Sequence, residues 1–319
     1  MKPTIHLACA TDTDYLPHAA TLLASLAAHH TSTTLAVNLL HTPTTPVRKL
    51  EALAKWWAEQ GQSLRLYCLD ESRFAGLRTT NIYPPVIWGR IFLPEILANL
   101  NRVLYLDSDI VALGSLQKLW ATKLGNNYLG AVTNPFGSDA RVPHLPLHIG
   151  LPDMASYFNS GVLIMNLARM RKDKVSDRIL AYSIAHHDEL IYPDQDALNI
   201  VLAKRWLRLH PRWNVQQSIL QFEDLNCVYD PIEFHEARIT PSLIHFEGPP
   251  FMKPWNAHCT HPYAGLYRRH RRKTPWPRYI PDGILQKWLM PFLSVRIRAK
   301  LRAFGIRFLS SRHSNVRRK

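Results

Sequence analysis

From residue 4 to about residue 204 the chain alternates short apolar runs with stretches whose apolar residues recur every three or four positions. That alternation restricts the fold more than any other feature. Parallel strands need crossover connections, usually helices, so the pattern implies an α/β architecture with a mixed, mostly parallel central sheet flanked by helices. Apolar runs at 4–10, 35–40, 64–69, 102–106, 128–133 and 161–165 are predicted as strands. Periodic stretches at 17–30, 46–59, 174–187 and 195–204 predict helices; in the second of these Leu50, Leu53, Ala54 and Trp57 share one face. The stretch 86–97 also reads as helical, with Pro94 ending or bending it. Residues 209–255 are irregular, and 135–152 is a loop rich in Pro and His, of a length that usually serves function in a compact domain.

Charge is distributed unevenly. The 319 residues carry a formal +15, which on its own would suggest a nucleic-acid partner. Yet residues 268–319 hold 16 Lys or Arg and a single acid, Asp282, while residues 1–267 hold 23 bases and 23 acids. No nucleic-acid partner is therefore expected. The division implied is a neutral body, 1–262, and a basic, Pro-containing amphipathic C-terminal extension, 263–319. In the extension Leu293, Ile297, Leu301, Phe304 and Phe308 fall at helical spacing among Arg296, Arg298, Lys300, Arg302 and Arg307. This is the pattern of a helix lying on an anionic membrane surface, the alternative being a helix that packs on its own domain. Cys9, Cys68, Cys227 and Cys259 form no CxxC pair, and the start of the chain lacks a signal-peptide pattern. No run of 18 apolar residues is present. The expected location is the cytoplasm, peripheral on the inner face of the cell membrane.

Three segments carry candidate chemistry. Asp107-Ser108-Asp109 directly follows the 102–106 strand, and carboxylates placed there can converge on one hard divalent cation whose shell phosphate oxygens complete. The alternative is a polar turn. Ligands of open α/β sheets sit beyond the carboxyl ends of strands, where Asp12 and Asp14 also fall. Asp194-Gln195-Asp196 opens a helix, where acids can also serve as simple caps. The run from His245 to Trp255 contains an imidazole suited to Mn²⁺ and a lysine, Lys253, suited to phosphate.

Taken in order, these segments resemble glycosyltransferase family 8, especially its bacterial members that build lipopolysaccharide. The resemblance runs from about Ile5 to Trp255. It is carried by residues 10–15 with Pro17-His18, by Trp88-Gly89-Arg90-Ile91-Phe92-Leu93, and by residues 103–109, 157–167, 192–199 and 245–255. It implies a GT-A-type, Rossmann-like fold, a UDP-sugar donor and dependence on Mn²⁺, with Mg²⁺ as an alternative. It further implies that Asp107, Asp109 and His245 are metal ligands, with Asp107 and Ser108 beside the nucleotide. Asp12 and Asp14 resemble uridine-facing positions and Ala10 lines the base pocket. Arg90, Asn159, Asp194 and Gln195 resemble donor-sugar positions, Asp194 and Gln195 being the catalytic pair, while Gly248 and Lys253 resemble the segment that closes over the diphosphate. Asp14 stands where many relatives carry Asn, and the 248–253 segment is longer. The implied reaction is retaining transfer of galactose or glucose to a lipid-linked oligosaccharide acceptor of the lipopolysaccharide core. A non-catalytic sugar-nucleotide or glycan-binding protein of the same fold is the alternative.

Overall fold

A computed structural model describes residues 3–80, 82–135, 149–223, 225 and 228–284. Its main sheet has seven strands in the order β3-β2-β1-β4-β7-β6-β8. The strands are β1 (Thr4–Thr11), β2 (Thr34–His41), β3 (Ser63–Cys68), β4 (Arg102–Leu106), β6 (Leu129–Thr133), β7 (Phe158–Asn166) and β8 (Trp206–Arg208). Pairs β1/β2, β2/β3, β1/β4 and β6/β8 are parallel, whereas β7 runs antiparallel to both β4 and β6. The sheet is thus mixed and mostly parallel, as the alternating pattern implies. A second, two-stranded sheet pairs β5 (Ile110–Ala112) with β9 (Leu243–His245). Strands β5, β8 and β9 have three residues each, too short to show a period of two in the sequence.

Successive side chains of a strand point to opposite faces. In β1, Leu7 and Cys9 join one apolar cluster, while Ala8 and Ala10 join the other. Both faces of β1 are therefore covered, which explains why the run reads as continuously apolar. Helices α1 (Leu16–Ala27) and α2 (Val47–Glu59) cover one face with Leu22, Leu26, Leu50, Leu53 and Trp57. Helices α3 (Val175–Ala185) and α4 (Pro193–Leu202) cover the other with Ile179, Ala197 and Leu198. Leu53 is fully buried, so Leu53→Ala would cost about 2–5 kcal/mol.

One expectation shifts. Residues Pro85–Phe92 form 3₁₀ turns, followed by a short helix over Leu93–Ile96. Pro94 lies in the first turn of that helix, where a missing N–H costs nothing, so it starts a helix instead of ending one. The first part of the basic extension has ordered partners. Helix α5 (Ala264–Arg271) packs on α1, Tyr267 is fully buried in the main cluster, and Trp276 and Tyr279 lie against it. The Asp282 carbonyl accepts the Ala257 N–H at 2.8 Å and its N–H donates to the Trp255 carbonyl at 3.0 Å. Residues 263–284 pack against the preceding chain. Their density of arginines masks a buried stripe of Ala264, Tyr267 and Arg271. The amphipathic stretch 293–308 and loop residues 136–148 lie outside the described residues. Among the described residues no helix is long and apolar enough to cross a membrane.

Candidate active site

Because β4 is parallel to β1 and antiparallel to β7, the ends of β1 and β4 and the start of β7 share one edge of the sheet. Asp12, Asp107 and Asn159 lie along that edge. The Asp107 N–H donates to the Gly161 carbonyl at 2.8 Å, and the Ser108 hydroxyl donates to the Ala10 carbonyl at 3.0 Å. The chain then turns into β5, whose pairing sets Ile110 opposite His245. That register brings the imidazole beside Asp109.

Asp107, Asp109 and His245 offer ligand atoms within 4.8 Å of one another, the one such group of His, Cys or acidic side chains among the described residues. His245 Nε2 lies 3.2 Å from Asp109 Oδ1 and 3.9 Å from Asp107 Oδ2. The orientation of the ring follows from one backbone donor. The Gly161 N–H donates to Asn159 Oδ1 at 2.9 Å, so Asn214 must present its Nδ2 to the same oxygen, at 2.8 Å. Asn214 Oδ1 then faces His245 Nδ1 at 3.0 Å and accepts from it. In the neutral ring this leaves the Nε2 lone pair pointing between the carboxylates. Gly161 closes the cradle: an added Cβ would stand 2.3 Å from His245 Cε1 and 2.8 Å from Asp107 Oδ2. The donor set of two carboxylates and an imidazole suits a hard to borderline divalent ion.

Each carboxylate also faces a cation. Arg90 Nη2 donates to Asp107 Oδ1 at 2.9 Å, its Nε lies 3.2 Å from Asp194 Oδ2, and its Nη1 donates to the Ser160 carbonyl at 2.6 Å. The Tyr105 hydroxyl donates to the same Asp107 oxygen at 2.8 Å. Lys253 Nζ donates to Asp109 Oδ2 at 2.6 Å and to the Phe246 carbonyl at 2.7 Å, leaving Oδ1 to His245. Burial alone would raise the Asp109 carboxyl, but Lys253 and His245 hold it well below the usual carboxylate range. For His245 burial opposes protonation, yet Asp109 outweighs it and the net shift is upward. Burial raises Asp194 against the pull of Arg90.

The remaining expected positions divide. Gln195 and Asp194 lie in the first turn of α4, both buried. Gln195 Oε1 accepts the Ser160 N–H at 2.9 Å and its Nε2 donates to Tyr157 Oη at 3.1 Å. Asn199 clamps this turn to β7 by bonding both the N–H and the carbonyl of Phe158. Asp196 caps locally, accepting from Tyr157 and from the N–H groups of Ile191 and Tyr192. Asp12 Oδ1 accepts the N–H groups of Asp14 and Tyr15 at the entry to α1, and Asp14 is exposed. Gly248 has φ +92°, a conformation that favours glycine. Asn159 is engaged with Gly161, Asn214 and Glu247. Lys253 stands on Asp109 rather than apart from the metal-type cluster.

Residues 6–259 match the profile described as glycosyl transferase family 8. The chain belongs to that family. Similar proteins include general stress protein A of Bacillus subtilis, 32% identical over 192 residues, 59% of this chain and 65% of the relative. The lipopolysaccharide 1,2-glucosyltransferase of Escherichia coli is 29% identical over 239 residues, covering 73% and 67%. The lipopolysaccharide 1,3-galactosyltransferase of Salmonella typhimurium is 26% identical over 235 residues, covering 72% and 66%. The chain spans about two thirds of the length of these curated relatives. Among solved structures, galactosyltransferase LgtC in complex with donor and acceptor sugar analogs superposes with a TM-score of 0.76 at 25% identity, covering 89% of this chain and all of that one.

Gly161, Asn214, Tyr105 and Ser160 also stand in the candidate site, and the sequence alone assigns them no role. Gly161, Ser160 and Tyr105 fall in segments that carry the family resemblance, but no role attaches to them there. Asn214 falls in the irregular 209–255 stretch, where no periodicity marks it.

Proposed function

We propose that this chain is a divalent-metal-dependent, retaining hexosyltransferase that moves galactose or glucose from a UDP-sugar to a lipid-linked oligosaccharide of the lipopolysaccharide core. The observation that carries the reading is the convergence of Asp107, Asp109 and His245 at the sheet edge shared by Asp12 and the α4 turn. A Mn²⁺ ion held by these three residues would supply Lewis-acid stabilisation of the leaving diphosphate. Lys253, held at the same edge by Asp109, adds a positive charge for the phosphate oxygens. Arg90 fixes Asp107 and Asp194 relative to each other, so Asp194 is positioned to bind sugar hydroxyls. Gln195, tethered at both ends of its amide, can place carbonyl density toward the anomeric carbon but is a poor nucleophile. Front-face attack fits this better than a covalent intermediate: the acceptor oxygen bonds to the anomeric carbon as its bond to phosphate oxygen breaks, and the acceptor proton passes to that phosphate oxygen.

Family membership and the lipopolysaccharide transferases among the relatives support this substrate class. The 285–319 tail would hold the enzyme at the anionic inner face of the membrane, and deleting it should reduce sedimentation with anionic vesicles. A panel of UDP-sugars with and without Mn²⁺ tests the main reading. Metal-dependent release of UDP is expected from the galactose or glucose donor and is abolished in Asp109→Ala. UDP binding without cleavage of any donor would favour the non-catalytic alternative.

A further inference from the structure

Beside α5, and sharing no residue with the candidate active site, an open surface cavity of about 320 Å³ is lined by Arg268, Arg272, Pro277, Arg278, Tyr279 and Pro281. Its walls are built deliberately. The buried Arg271 donates from Nε to the Trp276 carbonyl at 2.6 Å and stacks its guanidinium 5.1 Å from the Tyr279 ring centre. This folds the proline-containing segment back along α5. Arg268 and Arg272, four residues apart, project from one side of the helix and its cap. Arg278 comes from the facing segment.

Elsewhere Arg73, Arg90 and Arg208 each meet a carboxylate. Around this cavity no acid is present among the lining residues, and among the described residues no ion pair holds Arg268, Arg272 or Arg278. Like charges brought together repel, and the arrangement becomes favourable when an anion joins them. Guanidinium groups present paired N–H donors that match phosphate oxygens. Three of them call for three terminal oxygens, which a phosphomonoester presents and a phosphodiester does not. Tyr279, Pro277 and Pro281 add a flat apolar wall that the organic part of such a ligand can cover. The volume falls in the range of small-ligand sites.

We propose that this cavity is a binding site for a phosphomonoester carried on a molecule other than the nucleotide sugar. The test is calorimetric titration of the full chain with glucose 6-phosphate in EDTA. Saturable binding is expected, weakened at least about tenfold in Arg268→Gln/Arg272→Gln/Arg278→Gln and unchanged in Asp109→Asn, which alters only the candidate active site. The single charge reversal Arg278→Glu, at an exposed position, should weaken it in the same direction. Vesicles containing phosphatidate, compared with phosphatidylglycerol vesicles, identify the source: displacement of glucose 6-phosphate by phosphatidate alone places the phosphate on a lipid, and displacement by neither vesicle places it on a sugar. Wild-type affinity in the triple variant, loss of binding in Asp109→Asn, or absence of saturable binding to both glucose 6-phosphate and phosphatidate would overturn the proposal.

Discussion

Replacing Gly161 with alanine adds one methyl group at the point where the three candidate ligands meet. On the observed backbone the new Cβ would stand 2.3 Å from His245 Cε1, 2.8 Å from Asp107 Oδ2 and 2.9 Å from His245 Nδ1. Carbon atoms ordinarily meet at about 3.5 Å, so something must yield by roughly 1.2 Å. The strand is pinned on both sides, with Gly161 accepting from Asp107 N–H and donating to Asn159. The imidazole is pinned as well, by Asn214 and by the pairing of β9 with β5. Overpacking of this kind costs about 1–3 kcal/mol of stability. Displacing a catalytic group by about 1 Å can cost about 10²-fold in rate. Gly161→Ala is therefore expected to fold, to lose about 100-fold in kcat/KM for Mn²⁺-dependent donor hydrolysis, and to bind the ion more weakly. The comparison is Gly130→Ala, whose Cβ would stand 2.9 Å from Ile164 Cγ2 inside the sheet, away from the ligands. It should lose comparable stability and keep its activity. Wild-type kcat/KM and ion affinity in Gly161→Ala would refute the assignment of this cradle.

Asn214→Leu removes the acceptor that orients His245 and should weaken Mn²⁺ binding about 10–100-fold, read by electron paramagnetic resonance titration; unaltered affinity would remove Asn214 from the site. Lys253→Met removes the cation from Asp109, so the ion should bind more tightly while donor hydrolysis falls; a loss in both would show that Lys253 mainly supports the fold. His18, buried and beside Arg271, is held down to about 3. Between pH 6.5 and 3 only the unfolded chain takes up this proton, so its contribution is complete above 6.5 and declines as pH falls, by about 2 kcal/mol at pH 5. Comparing urea unfolding at pH 7.5 and 5 should show a drop smaller by that amount in His18→Phe, and an equal drop in both proteins would contradict it. A chain ending at residue 262 should lose at least about 3 kcal/mol of stability with Tyr267; a urea midpoint equal to that of the full chain would show that the segment after 262 does not support the body.

The elements legible in the sequence are those whose side chains face a core on both sides, or on one regular stripe. β1 and β4 read as apolar runs because two clusters cover them, and α2 reads through Leu50, Leu53 and Trp57. β9 did not read, because a three-residue strand has no period, although it delivers His245. Asp107 and Asp109 were visible through their position after a strand. Their partners were not: Gly161 matters for the side chain it lacks, and Asn214 acts through a contact 31 residues distant in sequence. Net charge does not show which basic residues pack, because Arg271 is buried against Trp276 and Tyr279 yet counts in a charge tally like any surface arginine.

The pairing of each metal-type carboxylate with its own cation has a thermodynamic consequence. With Arg90 on Asp107 and Lys253 on Asp109, much of the charge that would attract a divalent ion is already balanced. An ion entering alone would leave the pocket with excess positive charge, and a diphosphate entering alone would meet the two acids. Together they offset each other. The ion and the nucleotide should therefore show positive heterotropic coupling, each tightening the other by the same factor, and departure of the nucleotide product should loosen the ion's hold.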